Sequence, residues 1–496
     1  IDLTNAKELP NFASARIDGS VGYDKKLLEK CGFEAPGFNA PSVNVDKAYH
    51  IRMAGFDFFG NKYDEIEATY FVNLDDSTLY DDIAIVSLTI DEKDMWDYED
   101  GMYTTGIDWD EYYKDFDNNG AADTRWCFWG ANYRRDDVEK KCKLTVFDEE
   151  KNQILSQDCG IRIQGNGSKG EAQKSFSLYA RKEYNNMDYF NADLTESGYQ
   201  QDKYILSSGG QDQISKLSDY IVQKASTELP YSTMDMRPCT VFINGEFWGF
   251  YFICEPYNTK YFANHYNVNE NDLIIYRNGY LNEGQEGDEA EYEKMYSFIT
   301  ENDMTIEKNY QKACEMIDIE NFAAYGATML YLGRVGDWPI ANEECFKTKH
   351  IDPDLPYADG RWRWAVFDFN SSDEDVGKYA MEIERVDKVD AGLGNAMWNH
   401  LFQNPEFKAR TAAYLQHLAL VDYEPDKMNA IVKDYKDNYG DVLEASAVRF
   451  YDNAKKKQIA DEIEDTRYYF ERRALICKNL VWYMCGWDYL IDDWKD

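Results

Sequence analysis

The chain has 496 residues, 44% of them hydrophobic, with 53 Lys and Arg against 92 Asp and Glu and a formal net charge of −39. That length and apolar fraction support two or three lobes with ample cores, while the acidic field repels phosphate backbones and anionic headgroups and counts against nucleic acid or a membrane surface as main partner. No run of about 18 apolar residues is present to span a bilayer, and any nucleotide site must gather cations or metal ions locally.

Residues 1 to about 45 contain Pro10, Gly19, Gly22, Pro36, Gly37 and Pro41 and read as an irregular lead-in. Short alternating runs follow, Glu67–Val72 and Ile83–Ile90, then Lys143–Phe147, Gly160–Gln164 and Ser175–Tyr179. Period-two apolar placement with β-branched and aromatic residues predicts strands. Residues 213–229 switch to helical spacing, with Ile214, Leu217, Ile221, Ala225 and Leu229 on one face. Thr240–Asn244 and Phe247–Ile253 flank Asn244-Gly245, a strong hairpin signal because a type I′ turn needs positive φ twice. Beyond about residue 290 the spacing is mostly helical, in Ile319–Leu332, Ala396–Leu401, Glu406–Leu420 and Glu462–Cys485, interrupted by one strand pair, Cys345–Lys349 with Arg361–Phe367. Strands before helices is an α+β order.

The ten cysteines form no CxxC, and only five His are present, which argues against structural zinc. Cys239 and Cys254 sit in apolar strand-like runs, where a buried thiol is the default.

Three segments carry chemistry. Gly165-Asn-Gly167-Ser168-Lys-Gly170 fits GxGxxG, but the following Lys174–Arg181 alternates like a strand, which favours a strand–glycine loop–strand over a dinucleotide-binding turn. Such a loop drapes backbone N–H groups over phosphates, and Lys174 opens the next strand, where an ammonium group reaches them; a flexible turn and a solvated lysine are the plain alternatives. Asp337 and Asn342 have the D-x-x-x-x-N spacing of a kinase catalytic loop, in which the carboxylate accepts the attacking hydroxyl's proton and the amide oxygen ligates metal. Asp368-Phe-Asn370 closes an apolar strand where a kinase has Asp-Phe-Gly, so Asp368 reads as a metal ligand or as a turn cap. The order of these segments is more specific than any one of them.

The chain resembles the CotH kinase-like family, and the resemblance runs from about Ile83 to Arg473. It rests on Ser87–Glu92 with Asp100–Tyr103, Gly160–Ser168, Gln173–Arg181, Ser208–Asp212, and Val241–Tyr251 with Glu255 and Tyr261. Gly336–Pro339 with Asn342, Trp364–Asp368 and Asn404–Phe407 complete it, and Asn244–Gly249 is the most specific piece. The resemblance implies an atypical protein-kinase-like two-lobed fold and phosphoryl transfer from ATP to protein, as described for spore-coat proteins. The expected division is an irregular, β-rich N-terminal segment over 1–80, a kinase-like N-lobe with its lead-in over 81–258 and a mostly helical C-lobe over 259–496. Carried over by position, Lys174, Gly165, Gly167, Ser168 and Glu255 bind the nucleotide. Asp337 is catalytic, and Asn342, Asp368 and Asn370 face Mg²⁺ or Mn²⁺. The chain departs from many relatives at Asn370, where they have Asp, and at Gln164, where they often carry Arg. Glu228, on the face of Ile214 and Ile221, is a candidate carboxylate for Lys174 or a solvated helix end.

Asp115, Asp117, Asn119, Gly120 and Asp123 copy the first positions of an EF-hand loop, but Trp126 stands where the bidentate Glu belongs, so a calcium site competes with a solvated acidic loop. Two functions therefore stand side by side. One is a secreted or cell-surface protein kinase, the chain opening at Ile1 as a leader-trimmed precursor would. The other is a non-catalytic scaffold or adhesive module in an extracellular, cellulose-degrading type of assembly. Glycoside hydrolysis by paired carboxylates is a third class, weakly indicated because acidic residues are so abundant.

Overall fold

Alternating side chains in the first half of the protein form strands, and most of these strands close on one another. The computed structural model describes residues 43–72, 77–112, 130–136, 138–333, 342–369, 396–451 and 455–495. Its contacts divide the chain into two units: Ile1–Lys216 with Met236–Glu255 and Tyr435–Asp461, and Leu217–Asp235 with Pro256–Asp434 and Glu462–Asp496.

In the first unit, β1 (Tyr49–Phe56) and β2 (Lys62–Tyr70) make a separate antiparallel ribbon. Next come β3 (Ala84–Ile90), β4 (Lys140–Phe147), β5 (Gln153–Gln164) and β6 (Ser175–Tyr179). With β7 (Lys203–Ser207), β8 (Met236–Ile243) and β9 (Glu246–Cys254) they form a closed barrel in the order β3-β4-β5-β6-β7-β9-β8. Only β3 and β8 pair in parallel; the other neighbours are antiparallel. In β4 the alternation turns Cys142, Leu144 and Val146 inward. In β9 every residue is buried, which is why it reads as a continuous apolar run. The rings of Trp96, Tyr103 and Trp248 meet in the core with centroids 5.4 Å apart.

The β8–β9 hairpin turns through Asn244 and Gly245 at φ 48° and 82°, both positive as its sequence requires. The Asn244 amide also exchanges two hydrogen bonds of 2.9 Å with the main chain of Ile90, tying the turn to the end of β3. Beyond the turn, Gly249 has φ 114°, and a Cβ there would lie 2.5 Å from Ser446 Oγ and 2.9 Å from Gln173 Nε2, so only glycine fits. Glu246 is fully buried and pairs with the equally buried Arg449 at 3.3 Å, while the Arg449 guanidinium lies 4.2 Å from the centroid of the Trp248 ring.

The expected helix over 213–229 is shorter, Ser218–Ala225. Lys216 takes φ 53°, which no helix accommodates, and the Asp212 carboxylate holds the preceding turn by accepting from the Lys216 N–H at 2.8 Å and the Ser215 hydroxyl at 2.9 Å. Ile214, Leu217, Ile221, Ala225 and Leu229 are all buried, so their spacing reported burial beyond the limits of the helix.

In the second unit, β10 (Leu273–Arg277), β11 (Tyr280–Glu283), β12 (Glu344–Thr348) and β13 (Arg363–Ala365) form a sheet of order β11-β10-β12-β13. The strand pair expected around 345 and 361 is β12 with β13. The helix Ile319–Tyr331 is buried on nearly all sides, and Ala396–Leu401 has the expected bounds. Helix Pro405–His417 passes into a π-turn at Leu418–Asp422, and the last long helix starts earlier than expected, at Lys455. The whole is a mixed α/β protein.

Removing Arg449 alone strands a buried carboxylate. Arg449→Ala is expected to lower the unfolding free energy by about 3 kcal/mol in a denaturant titration. The paired change Glu246→Gln with Arg449→Met should lose much less, because it leaves neither member of the pair charged.

Candidate nucleotide- and metal-binding residues

β5 ends at Gln164, whose side chain accepts from Ser177 Oγ at 2.5 Å, and the chain then turns at Gly165 with φ 111°. A Cβ at Gly165 would lie 2.3 Å from Ser168 Oγ, so the close approach of Ser168 needs glycine. Gly167–Gly170 form a single 3-10 turn. The strand–turn–strand order is as expected, but the turn is no open cradle of N–H groups. The Lys169 N–H bonds Asn166 O at 3.2 Å and the Glu171 N–H bonds Ser168 O at 3.1 Å, so these donors serve the turn itself.

Lys174 stands just before β6, completely buried. Its N–H donates to Tyr103 Oη at 3.2 Å and its carbonyl accepts from the Tyr251 hydroxyl at 2.9 Å. The Tyr103 hydroxyl also donates to Ala172 O at 2.8 Å and accepts from the Trp248 indole at 3.3 Å. Burial pushes the Tyr103 phenol up to about 12, so it remains a donor. Two motifs from distant stretches, Asp100–Tyr103 and Asn244–Gly249, thus meet on the backbone beside this lysine. The Lys174 ammonium donates to Lys169 O at 2.6 Å and Glu171 O at 2.8 Å, and lies 3.8 Å from the centroid of the Tyr133 ring and 5.3 Å from that of Tyr103. Such contacts replace part of the hydration an ammonium loses on burial. Burial nevertheless holds it well below the ordinary lysine range, with Glu171 opposing and Arg134 adding to the shift.

Three further cations gather here without having been singled out in the sequence. Arg134 donates to Asn166 O and, at 3.3 Å, to Gly167 O. Lys169, buried, pairs with Asp136 at 2.9 Å. Lys216, buried, donates to Ser208 O at 2.5 Å and Gln213 O at 3.0 Å. The carboxyl among them is Glu171, raised by its burial and drawn down by Lys174 and Lys216. Glu228, the carboxylate considered in the sequence, is solvent-exposed. One signal was available for Arg134: Arg134-Arg135 is a basic doublet in a strongly acidic chain. Glu255 is fully buried, and its carboxylate accepts from Thr195 Oγ1 at 2.7 Å and from Ser197 Oγ.

In the second unit, Asn342 lies two residues before β12 and Asp368 three residues after β13. Because the strands are antiparallel, with Glu344 opposite Ala365, these two ends are neighbours. Asn342 Nδ2 donates to Asp368 O at 3.5 Å, and both residues adopt the left-handed conformation, φ 58° and 63°, which Asn and Asp tolerate better than other side chains. The chain leading to Asp368 is held at Val366, whose carbonyl accepts from Tyr257 Oη at 2.8 Å and Gln223 Nε2 at 3.0 Å. Arg277 grips the buried Glu344 through Nε and Nη2 at 2.9 and 2.7 Å, joining β10 to β12. Glu343 accepts from the Trp364 indole at 2.8 Å, and burial raises its carboxyl to about 7. Upstream, the buried Arg473 caps the helix Ile319–Tyr331, donating to Leu330 O at 2.6 Å and to Tyr331 O at the end where the helix dipole favours a cation. Asp337, Asn370 and the acidic loop of Asp115, Asp117, Asn119 and Asp123 lie outside the described residues.

A glycine turn, a buried lysine at the head of the next strand, and an Asn and an Asp at adjoining ends of a later strand pair are thus set in a mixed α/β protein. The sequence profile of the CotH family, described as CotH kinase protein, matches residues 161–476. That stretch is well over half of the chain, and the protein belongs to the CotH kinase family. The matched stretch begins later than the motif resemblance, leaving Ser87–Glu92 and Asp100–Tyr103 ahead of it. Comparison with curated proteins returns no match. No described helix is long and apolar enough to cross a membrane.

A lysine with a lowered folded pKa binds fewer protons folded than unfolded between its two values, so its contribution to stability rises with pH across that window and is least below it. The stability of wild type relative to Lys174→Met is therefore expected to climb by about 1.4 kcal/mol per pH unit within that window. The climb should end near the ordinary lysine value of 10.5. Chemical denaturation of both proteins across alkaline pH measures it, and a flat difference would contradict the lowering of the Lys174 pKa by burial.

Proposed function

We propose that this chain is an ATP-dependent phosphotransferase acting on a protein hydroxyl, with a kinase-like two-lobed fold, working at the cell surface or after secretion. The observation that carries this reading is the convergence of Lys174, Lys169, Arg134 and Lys216 around the glycine turn in a protein of net charge −39. A triphosphate fits such a cluster, since the cations offset both its own charge and the repulsion of the surrounding acidic surface. Lys174 and the turn at Gly165, Gly167 and Ser168 orient the phosphates, with Glu255 toward the nucleotide. The oxygens of Asn342, Asp368 and Asn370 would suit a hard divalent cation such as Mg²⁺ or Mn²⁺, which would supply local positive charge there. Asp337 accepts the proton of the attacking hydroxyl as its oxygen bonds to the terminal phosphorus and the bond to the ADP oxygen breaks.

A second reading, the non-catalytic scaffold or adhesive module of an extracellular assembly, draws on the same lysine. Its ammonium is bonded to two carbonyls of its own loop, which is how a purely structural lysine satisfies itself.

Two measurements separate these readings. A thermal-shift titration with ATP and Mn²⁺ is expected to raise the melting temperature by several degrees through mass action, on the order of 2.7 kcal/mol at a hundredfold excess over Kd, and Lys174→Met should remove the rise. Absence of any rise at millimolar nucleotide favours the scaffold. Asp337→Ala should keep the nucleotide-induced rise yet reduce transfer of labelled γ-phosphate at least about 100-fold. Undiminished transfer by that variant removes Asp337 from the mechanism.

A further inference from the structure

Cys142 and Cys159 face each other across the barrel wall. They are directly paired in the antiparallel register of β4 and β5, where Lys141 stands opposite Gly160 and Lys143 opposite Asp158. A Lys141–Asp158 ion pair of 2.7 Å flanks them and supports that register. Both cysteines are free and buried, 1% and 0% exposed. Directly opposed residues of antiparallel strands have Cα atoms about 4.5–5.5 Å apart, within the range of about 4.4–6.8 Å that a disulfide spans. Among the described strands no other cysteines are so opposed: Cys239 faces Tyr251, Cys254 faces Met236 and Ile205, and Cys345 faces Trp364 and Tyr276.

We propose that Cys142 and Cys159 are a disulfide site, closed when the chain folds in the presence of a small-molecule disulfide such as oxidised glutathione, and that the bond locks β4 to β5. One cysteine thiolate attacks a sulfur of the small disulfide, forming a mixed disulfide and releasing the first small thiolate. The second cysteine thiolate then displaces the remaining small thiol and makes the Cys142–Cys159 bond. The two cysteine sulfurs lose two electrons, the small disulfide gains them, and the two cysteine protons end on the two released thiols. Burial sets the timing. Desolvation raises the Cys142 thiol well above its ordinary range, so thiolate is scarce once the barrel has closed. The bond therefore forms while the strands are still accessible and is afterwards shielded from reductant.

The lock acts on two segments that flank the cation cluster. Asn132–Arg134 precede β4, and β5 runs directly into Gly165. Joining the two strands fixes the bases of the segments that carry Arg134 and the glycine turn.

The test is to refold the full chain in a glutathione redox buffer and, separately, under excess thiol. Free thiols are then alkylated in denaturant, and the unreduced digest is read by mass spectrometry. The expected product of oxidative folding is a peptide pair joined through Cys142 and Cys159. Its melting temperature should exceed that of the reduced protein by about 5 °C, and Cys142→Ala or Cys159→Ala should erase that difference. Full alkylation of both cysteines after oxidative folding, or their linkage to other cysteines, overturns the proposal. If either variant fails to fold, the linkage map of the unmutated chain decides alone.

Discussion

An ammonium group buried without bulk water is the constraint around which the first unit is arranged. Lys174 cannot sit where it does unless its charge is met by oxygen and π-density. The carbonyls of Lys169 and Glu171 and the ring of Tyr133 supply these. Those carbonyls are aimed by the 3-10 turn, and the turn needs a glycine at 165. The lysine's own backbone is fixed by two tyrosine hydroxyls, one of which is shared with the Trp248 indole. The tryptophan in turn carries Arg449 on its face, and Arg449 neutralises Glu246 at the start of β9. A chain of contacts thus runs from the hairpin turn to the glycine turn.

The second unit uses another device. There, two side chains with oxygen donors are neighbours because they lie just beyond adjoining ends of a short antiparallel strand pair. Hydrogen bonds to Val366, the Arg277–Glu344 pair and the Arg473 cap hold the elements that lead up to them. Rigid elements supply the positions, and residues in the sparsely used left-handed region occupy them. Asn and Asp take that conformation at less cost than other side chains.

Much of this was legible in the sequence, for identifiable reasons. The Asn244-Gly245 turn was readable because its φ requirement is local, and the β12–β13 pair because Trp362 and Trp364 alternate with Arg361 and Arg363. The glycine turn followed by a strand was readable from the alternation after Lys174. Barrel closure was not: alternation tells which face is buried, whereas the parallel pairing of β3 with β8 joins residues far apart in the chain. Helical spacing over 213–229 misjudged the helix start because a single positive φ at Lys216, stabilised by Asp212, leaves no trace in hydrophobic period. Arg134, Lys169 and Lys216 share no spacing at all, since they converge from three loops. Asn244–Gly249 was recognised as specific, but its role in supporting Lys174 through Trp248 emerges only from the fold.

Closure of the seven strands has a further effect on how the protein behaves in company. A sheet joined back to itself presents no row of unpaired amide and carbonyl groups, so the most apolar strand, β9, offers no template to another chain. The β1–β2 ribbon stands outside that closure, with Phe58 and Phe59 exposed at its turn. Among the described strands of this unit, the open edges are those of one short, charge-laced ribbon, where Arg52, Lys62, Glu65 and Glu67 oppose stacking of like on like.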